Sequence, residues 1–166
     1  MGSVTDTITE TINTLVARGE KVGLIKVYLY RPFSQKYLEA VLPATVKKIA
    51  VLDRAKEQGA REPLFLDVCY ALRKHTDLTI TGGRYGLSSK DTNPSHINAV
   101  YEELKKDDPK EEFTIGIDDD VTNLSLAPVD IRVDADYTSC LFYGLGSDGT
   151  VGANKSTVKI IGNNTD

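Results

Sequence analysis

The apolar positions change period along the chain, and each change marks an element. Ile8, Ile12, Leu15 and Val16 recur at helical spacing between a capping Ser3 or Thr5 and Gly19, which predicts a first helix that stops at the glycine. Residues 21–30 are rich in β-branched and aromatic side chains and run into Arg31-Pro32-Phe33, where proline ends ladder pairing, so they predict a strand. Ser34 caps a short helix through Leu42, and residues 48–53 form a nearly continuous apolar run of the kind buried on both faces of a parallel sheet. A polar loop at 54–62 leads to Pro63, which opens a helix through Leu66, Tyr70, Leu72 and Arg73, followed by a short strand at 78–80. After a glycine-dense loop at 82–86, Asn93-Pro94 opens a helix carrying Ile97, Val100, Tyr101 and Leu104. Acidic residues at 107–112 end that helix in solvent, and 113–117 predict another strand.

Strands alternating with helices predict an α/β fold, a three-layer and mostly parallel sheet over residues 1 to about 117. That pattern is one strand short, because Met1-Gly-Ser3 reads as the turn that follows a strand. Residues 118–136 carry a proline, several acids and little helical period, and predict a linker. Beyond it, Cys140-Leu-Phe-Tyr143 predicts a strand, Gly144-Leu-Gly-Ser-Asp-Gly149 a loop, and Val158-Lys-Ile-Ile161 a further strand. A phosphate-binding βαβ unit is begun and broken off, so both ends read as cuts in a longer chain.

Composition narrows the setting. At 166 residues, 40% hydrophobic and 27% charged, the chain has the length of one globular domain with room for part of a second. A net charge of -4, with Lys and Arg scattered rather than striped, disfavours a nucleic-acid surface. No apolar stretch nears the roughly 20 residues of a membrane span, and the N-terminus lacks signal-peptide regions, which predicts an intracellular setting. Cys69 and Cys140 have no metal-ligand spacing and read as buried small apolar residues, one in a helix and one in a strand.

The glycine loop is the leading candidate for chemistry, because such loops bring bare backbone N–H groups close to a phosphate. Gly144, Gly146 and Gly149 match the dinucleotide fingerprint, with Asp166 at the distance of a ribose-binding acid, although the interval before Val158 is short for a crossover helix. The same stretch nearly satisfies a P-loop through Lys155 and Ser156, but Asn154 stands where the second glycine belongs. A plain turn without ligand is the third reading. Arg31 and Arg54 follow predicted parallel strands, at the sheet edge where ligands bind, and for Arg31 a salt bridge or carbonyl contact that fixes the loop is the favoured reading. Arg84, within Gly82-Gly-Arg-Tyr-Gly86, lies in either an anion or interface loop or a simple turn. Asp118-Asp-Asp120 reads as a solvated turn rather than a metal site, and His75 and His96 as surface histidines.

Several ordered motifs together resemble pyruvate:ferredoxin (flavodoxin) oxidoreductase over nearly the whole chain: Leu29-Tyr-Arg-Pro-Phe33, Ile49-Ala-Val-Leu-Asp-Arg54, Gly82-Gly-Arg-Tyr-Gly-Leu-Ser-Ser-Lys90, Phe113-Thr-Ile-Gly-Ile-Asp-Asp-Asp-Val-Thr-Asn-Leu-Ser-Leu126 and Gly144-Leu-Gly-Ser-Asp-Gly-Thr-Val-Gly-Ala-Asn-Lys155. Members of that family are long, homodimeric, multidomain enzymes that decarboxylate pyruvate on thiamine diphosphate with magnesium, pass electrons through iron-sulfur clusters to ferredoxin or flavodoxin, and form acetyl-CoA. The resemblance implies an internal piece. Residues 1–127 are similar to a transketolase C-terminal-like α/β domain, and 128–166 to a linker and the first strands of the next, coenzyme A-associated domain. It implies coenzyme A phosphate as the loop's ligand, with Gly144, Gly146, Ser147, Gly149 and Asn154 as backbone or amide donors, Lys155 as the charged partner and Ser156 as a weaker contact.

Arg31, Arg54 and Arg84 become interface anchors toward the other domains or a dimer partner. A cubane cluster needs four thiolates and the chain has two cysteines, so the resemblance implies that this piece alone is inactive. It implies no nucleic-acid or membrane partner, and a cytoplasmic site or an anaerobic organelle. The competing expectation is a stand-alone α/β protein that binds a phosphate ligand or nucleotide through the loop from Gly144 to Lys155, and a third is an interaction module whose loop binds nothing.

Overall fold

The computed structural model describes residues 2, 4–118, 121–133 and 140–164, and divides into two units, Met1–Asp134 and Ala135–Asp166. The first contains α1 (Val4–Ala17), α2 (Gln35–Val41), β1 (Lys48–Asp53), α3 (Pro63–Ala71), β2 (Thr79–Arg84), α4 (Pro94–Lys105) and β3 (Glu112–Thr114); the second contains α5 (Thr150–Asn164). The three strands form one parallel sheet in the order β1-β2-β3, with Lys48 opposite Thr79 and Gly83 flanked by Leu52 and Phe113. Helices α3 and α4 make the two crossovers that parallel pairing requires.

Alternation along β1 builds the layers. Ala50 and Leu52 pack on the side of α1 and α4, against Ile8, Ile97, Val100, Phe113 and Ile115. Ile49 and Val51 face Leu64, Phe65, Val68 and Leu72 of the α3 segment, with Leu38 and Leu42 of the α2 segment beside them. The expected three-layer α/β domain is therefore present, with a smaller sheet.

Local signals placed the helix ends well. Ser34 accepts from the Tyr37 N–H at the start of α2, Pro63 begins α3, and Asn93 and His96 form a reciprocal capping box at α4. Gly19 has φ +87°, and the Glu20 N–H donates to the Leu15 carbonyl at 3.1 Å, closing α1 in a left-handed cap. Ser3 lies outside the described residues, and Thr5 sits inside α1 with its hydroxyl donating to the Gly2 carbonyl. Val16 is exposed, and Thr11 takes the buried place in its stead, its hydroxyl donating to the Thr7 carbonyl at 2.8 Å.

Four strand or loop expectations are corrected. Residues 21–30 form no ladder; side chains hold them, with Leu24 on one core, Val27 on the other and the Tyr101 hydroxyl donating to the Gly23 carbonyl. The run has strand composition, but no described strand offers its backbone as neighbour. Residues 82–84 are the end of β2 rather than a loop, and the absence of a Cβ at Gly82 and Gly83 lets large neighbours close over those two positions. Residues 140–143 are not a strand, so Cys140 is exposed rather than buried, while Cys69 is half-buried beside the α3 core. Val158 to Ile161 lie within α5, so the broken-off βαβ unit is instead a loop followed by a 15-residue helix.

A buried carboxylate ties the end of α4 to the loop after it. Glu103 accepts from the Lys110 N–H at 2.9 Å and from Lys106 Nζ at 2.6 Å. Burial alone would raise its carboxyl, but these hydrogen bonds and the two lysine charges outweigh it and hold the group below the usual glutamate range. A depressed folded-state value means stability that is full above the unfolded value and lost as pH falls through the folded one. The stability gap between wild type and Glu103→Gln, measured by urea titration, is therefore expected to be constant near neutrality and to shrink below about pH 4. A gap that widened on acidification would overturn this assignment.

Candidate functional site

In the second unit, the glycine loop turns directly into a helix. Gly146 (φ +75°), Ser147 (φ +56°) and Gly149 (φ +87°) adopt left-handed backbone just before Thr150 opens α5. Gly146 and Gly149 have open space where a Cβ would stand, so their role is conformational. Gly144 differs: a Cβ there would meet the Thr150 hydroxyl, so it is a close-approach glycine, with the Asn154 amide 3.9 Å from the same point. Asp148 Oδ1 accepts from the Thr150 N–H at 2.9 Å and from its hydroxyl at 2.5 Å, and these bonds lower its carboxyl below the usual aspartate range. A carboxylate therefore already occupies the positive end of α5.

This geometry brings Gly144, Thr150 and Asn154 together and leaves Lys155 and Ser156 exposed in the second turn of α5. The P-loop reading fails here, because residues 150–153, which that motif needs as loop, are helical and Lys155 is not at the helix start. The dinucleotide reading loses its strands, since residues 140–143 form none and residues 158–161 are helical; Asp166 itself lies outside the described residues. What persists is a left-handed loop leading into a helix N-terminus, a combination that suits anions.

In the first unit, the arginines occupy three different environments. Arg31 pairs with Asp67 at 2.6 Å and stacks over the Tyr30 ring, 3.9 Å from its centroid. Arg54 is exposed, and its Nε donates to the Gly86 carbonyl at 3.1 Å, fixing a residue with φ +62°. Arg84 is mostly buried between Glu62 (3.0 Å) and Glu112 (3.1 Å), with Arg61 also on Glu112. Beneath them Asp53, 3% exposed, accepts from the Leu64 and Phe65 N–H groups at 3.2 and 3.0 Å and so caps α3 from the end of β1. Glu62, at the capping position itself, makes no side-chain cap.

Sequence reading missed Asp53, whose partners lie 11 and 12 residues away, and the pairing of Arg73 with Tyr70, for which the i,i+3 spacing was a signal. His96 is a capping residue and His75 lies 3.5 Å from Glu39. Asp119 and Asp120 lie outside the described residues, among which no group of His, Cys, Asp and Glu converges as metal ligands. No described helix is long and apolar enough to cross a membrane.

Residues 1–97 match the model of pyruvate:ferredoxin oxidoreductase core domain II. The chain belongs to that family. It is 54% identical to the pyruvate:ferredoxin oxidoreductase of Moorella thermoacetica over 100% of its own length and 14% of the relative's. The pyruvate-flavodoxin oxidoreductase of Klebsiella pneumoniae is 54% identical over 99% of the chain and 14% of the relative. A mitochondrial pyruvate dehydrogenase (NADP+) of Euglena gracilis is 51% identical over 100% of the chain and 10% of the relative. The chain thus spans about a seventh of the length of these relatives or less.

Proposed function

We propose that this chain works as one part of a longer 2-oxoacid oxidoreductase that oxidises pyruvate, reduces ferredoxin or flavodoxin and makes acetyl-CoA, in the cytoplasm or an anaerobic organelle. The observation that carries the reading is identity above one half along the whole chain to relatives named for pyruvate oxidation, of which it spans 14%. Thiamine diphosphate with magnesium and the iron-sulfur clusters, which supply decarboxylation and electron transfer, belong to other parts of such an enzyme; two cysteines cannot hold a four-thiolate cluster. The part itself is not catalytic. Residues 1–127 form a supporting α/β domain, in which Arg31 and Arg54 are exposed contacts to other domains or a dimer partner and Arg84 supports that edge through Glu62 and Glu112.

Residues 128–166 support coenzyme A binding. Gly144, Gly146, Ser147, Gly149 and Asn154 offer backbone or amide donors to its phosphates, and Lys155 supplies the charge. Support comes from the left-handed backbone at residues 146, 147 and 149 and from the open space at Gly146 and Gly149. Asp148 works against it, so phosphate must either displace Asp148 from Thr150 or bind beside it.

In the full-length enzyme, Lys155→Ala is expected to raise the KM for coenzyme A roughly tenfold, the loss of one charge-assisted contact of about 1.5 kcal/mol, and to leave the KM for pyruvate unchanged. Equal coenzyme A kinetics in the two enzymes would remove Lys155 from the site. A natural gene product no larger than this chain and free of iron would sink the whole reading.

A further inference from the structure

The inner side of α3 is spent on the core, through Leu64, Phe65 and Val68. Its outer ridge repeats at helical spacing as Leu66, Asp67, Tyr70 and, just past the helix, Arg73. A solvated ridge needs only polar residues there, yet Leu66 is 47% and Tyr70 69% exposed.

The charged members of this ridge are already ordered. Arg31 Nη1 donates to Asp67 Oδ2 at 2.6 Å, and its Nη2 donates to the Tyr30 hydroxyl at 2.9 Å. Arg73 Nη1 donates to the Tyr70 carbonyl at 2.6 Å, and its guanidinium lies 4.1 Å from the centroid of the Tyr70 ring. Tyrosine and arginine held in this way lose little freedom on contact, and they are the residue types that concentrate binding energy at protein contacts.

Charge then indicates what completes the face. Asp67 neutralises Arg31, whereas Arg73 meets a carbonyl and, at 3.5 Å, the Gln35 side-chain oxygen, and no carboxylate among the described residues. One positioned, uncompensated cation therefore stands beside two exposed apolar side chains, in a chain of net charge -4. A two-fold contact with a second copy would set this face against itself and bring like charges together.

We propose that the α3 ridge, Leu66, Tyr70 and Arg73 with Arg31 docked on Asp67, is a contact face for a carboxylate-bearing surface of another domain of the same polypeptide. The proposal rests on the reading of the chain as part of a longer enzyme, in which most of the polypeptide lies outside these residues. Covalent linkage keeps such a domain at high effective concentration, so a modest polar contact suffices.

The test is hydroxyl-radical footprinting of the full-length enzyme, with the urea-unfolded enzyme as reference. Tyr70 and Leu66 are expected to lose labelling in the folded enzyme at every protein concentration, Arg73→Glu to restore it, and Arg73→Lys to keep the protection. Carbodiimide coupling of the Arg73→Lys enzyme is expected to join residue 73 to a carboxylate outside residues 1–166 of the same polypeptide. Free labelling of Tyr70 in the long wild-type enzyme would overturn the proposal, as would protection lost on dilution or a cross-link between two polypeptides. A gene product no longer than this chain would instead overturn the reading on which it rests.

Discussion

Replacing Gly83 with alanine is expected to destabilise the domain by about 3 kcal/mol, at the upper end of what overpacking a core costs. Gly83 sits in the middle strand with Leu52 on one side and Phe113 on the other, and a Cβ there would clash with the Phe113 ring and the Leu52 side chain. Phe113 is fully buried, so its ring cannot swing into solvent to make room. Urea unfolding should show a lower midpoint with an unchanged slope, because the surface exposed on unfolding stays the same. Gly82→Ala provides the internal control: its Cβ would meet only the Phe65 ring, at 3.2 Å, and the cost should be clearly smaller. An alanine at 83 that left the midpoint unchanged would mean that the sheet does not close over this glycine as described.

The second large effect is expected at Asp53. Asp53→Ala leaves two buried N–H groups at the start of α3 without an acceptor, at about 1–3 kcal/mol each, so a loss of about 3 kcal/mol is expected. Asp53→Asn should lose less, since its side-chain oxygen still accepts one of the two bonds. Burial raises the Asp53 carboxyl above its usual value, the opposite sense from Glu103. A raised folded-state value means stability that is present below the unfolded value and lost as pH rises through the folded one. The advantage of wild type over Asp53→Asn should therefore grow on acidification, and a constant gap between pH 7 and pH 4 would refute the assignment. Because α3 carries Tyr70 on its outer ridge and positions Arg73 just past its end, Asp53→Ala should also disturb the proposed contact face.

The helices were legible because their signals are local. Ser34, Pro63, Asn93-Pro94 and Gly19 act within a few residues of themselves, and each marks an observed helix end. Residues 48–53 were legible for a related reason: an apolar run that packs against a core on each face reads the same whichever strand lies beside it. The glycine loop was found from its glycine spacing, and the structure adds the left-handed backbone at Gly146, Ser147 and Gly149. Its continuation was misread because Val158, Ile160 and Ile161 are β-branched, while the helical context of residues 150–164 overrides that preference.

The sequence by itself therefore determined the α/β class, the helices α1 to α4, the strand β1, the glycine loop and, through motifs spread along the chain, the oxidoreductase family. Only the tertiary structure decided which β-rich runs become strands, because a ladder is a property of two segments and residues 21–30 have no described strand beside them. It also decided that Gly82 and Gly83 are packing glycines rather than a ligand loop, since that depends on the Phe65 and Phe113 rings that lie over them. The same holds for the arginines. Sequence could place Arg31, Arg54 and Arg84 after strands, but whether each guanidinium is paired, exposed or buried follows from carboxylates and carbonyls brought in from 22 to 36 residues away, a distance over which no local rule operates.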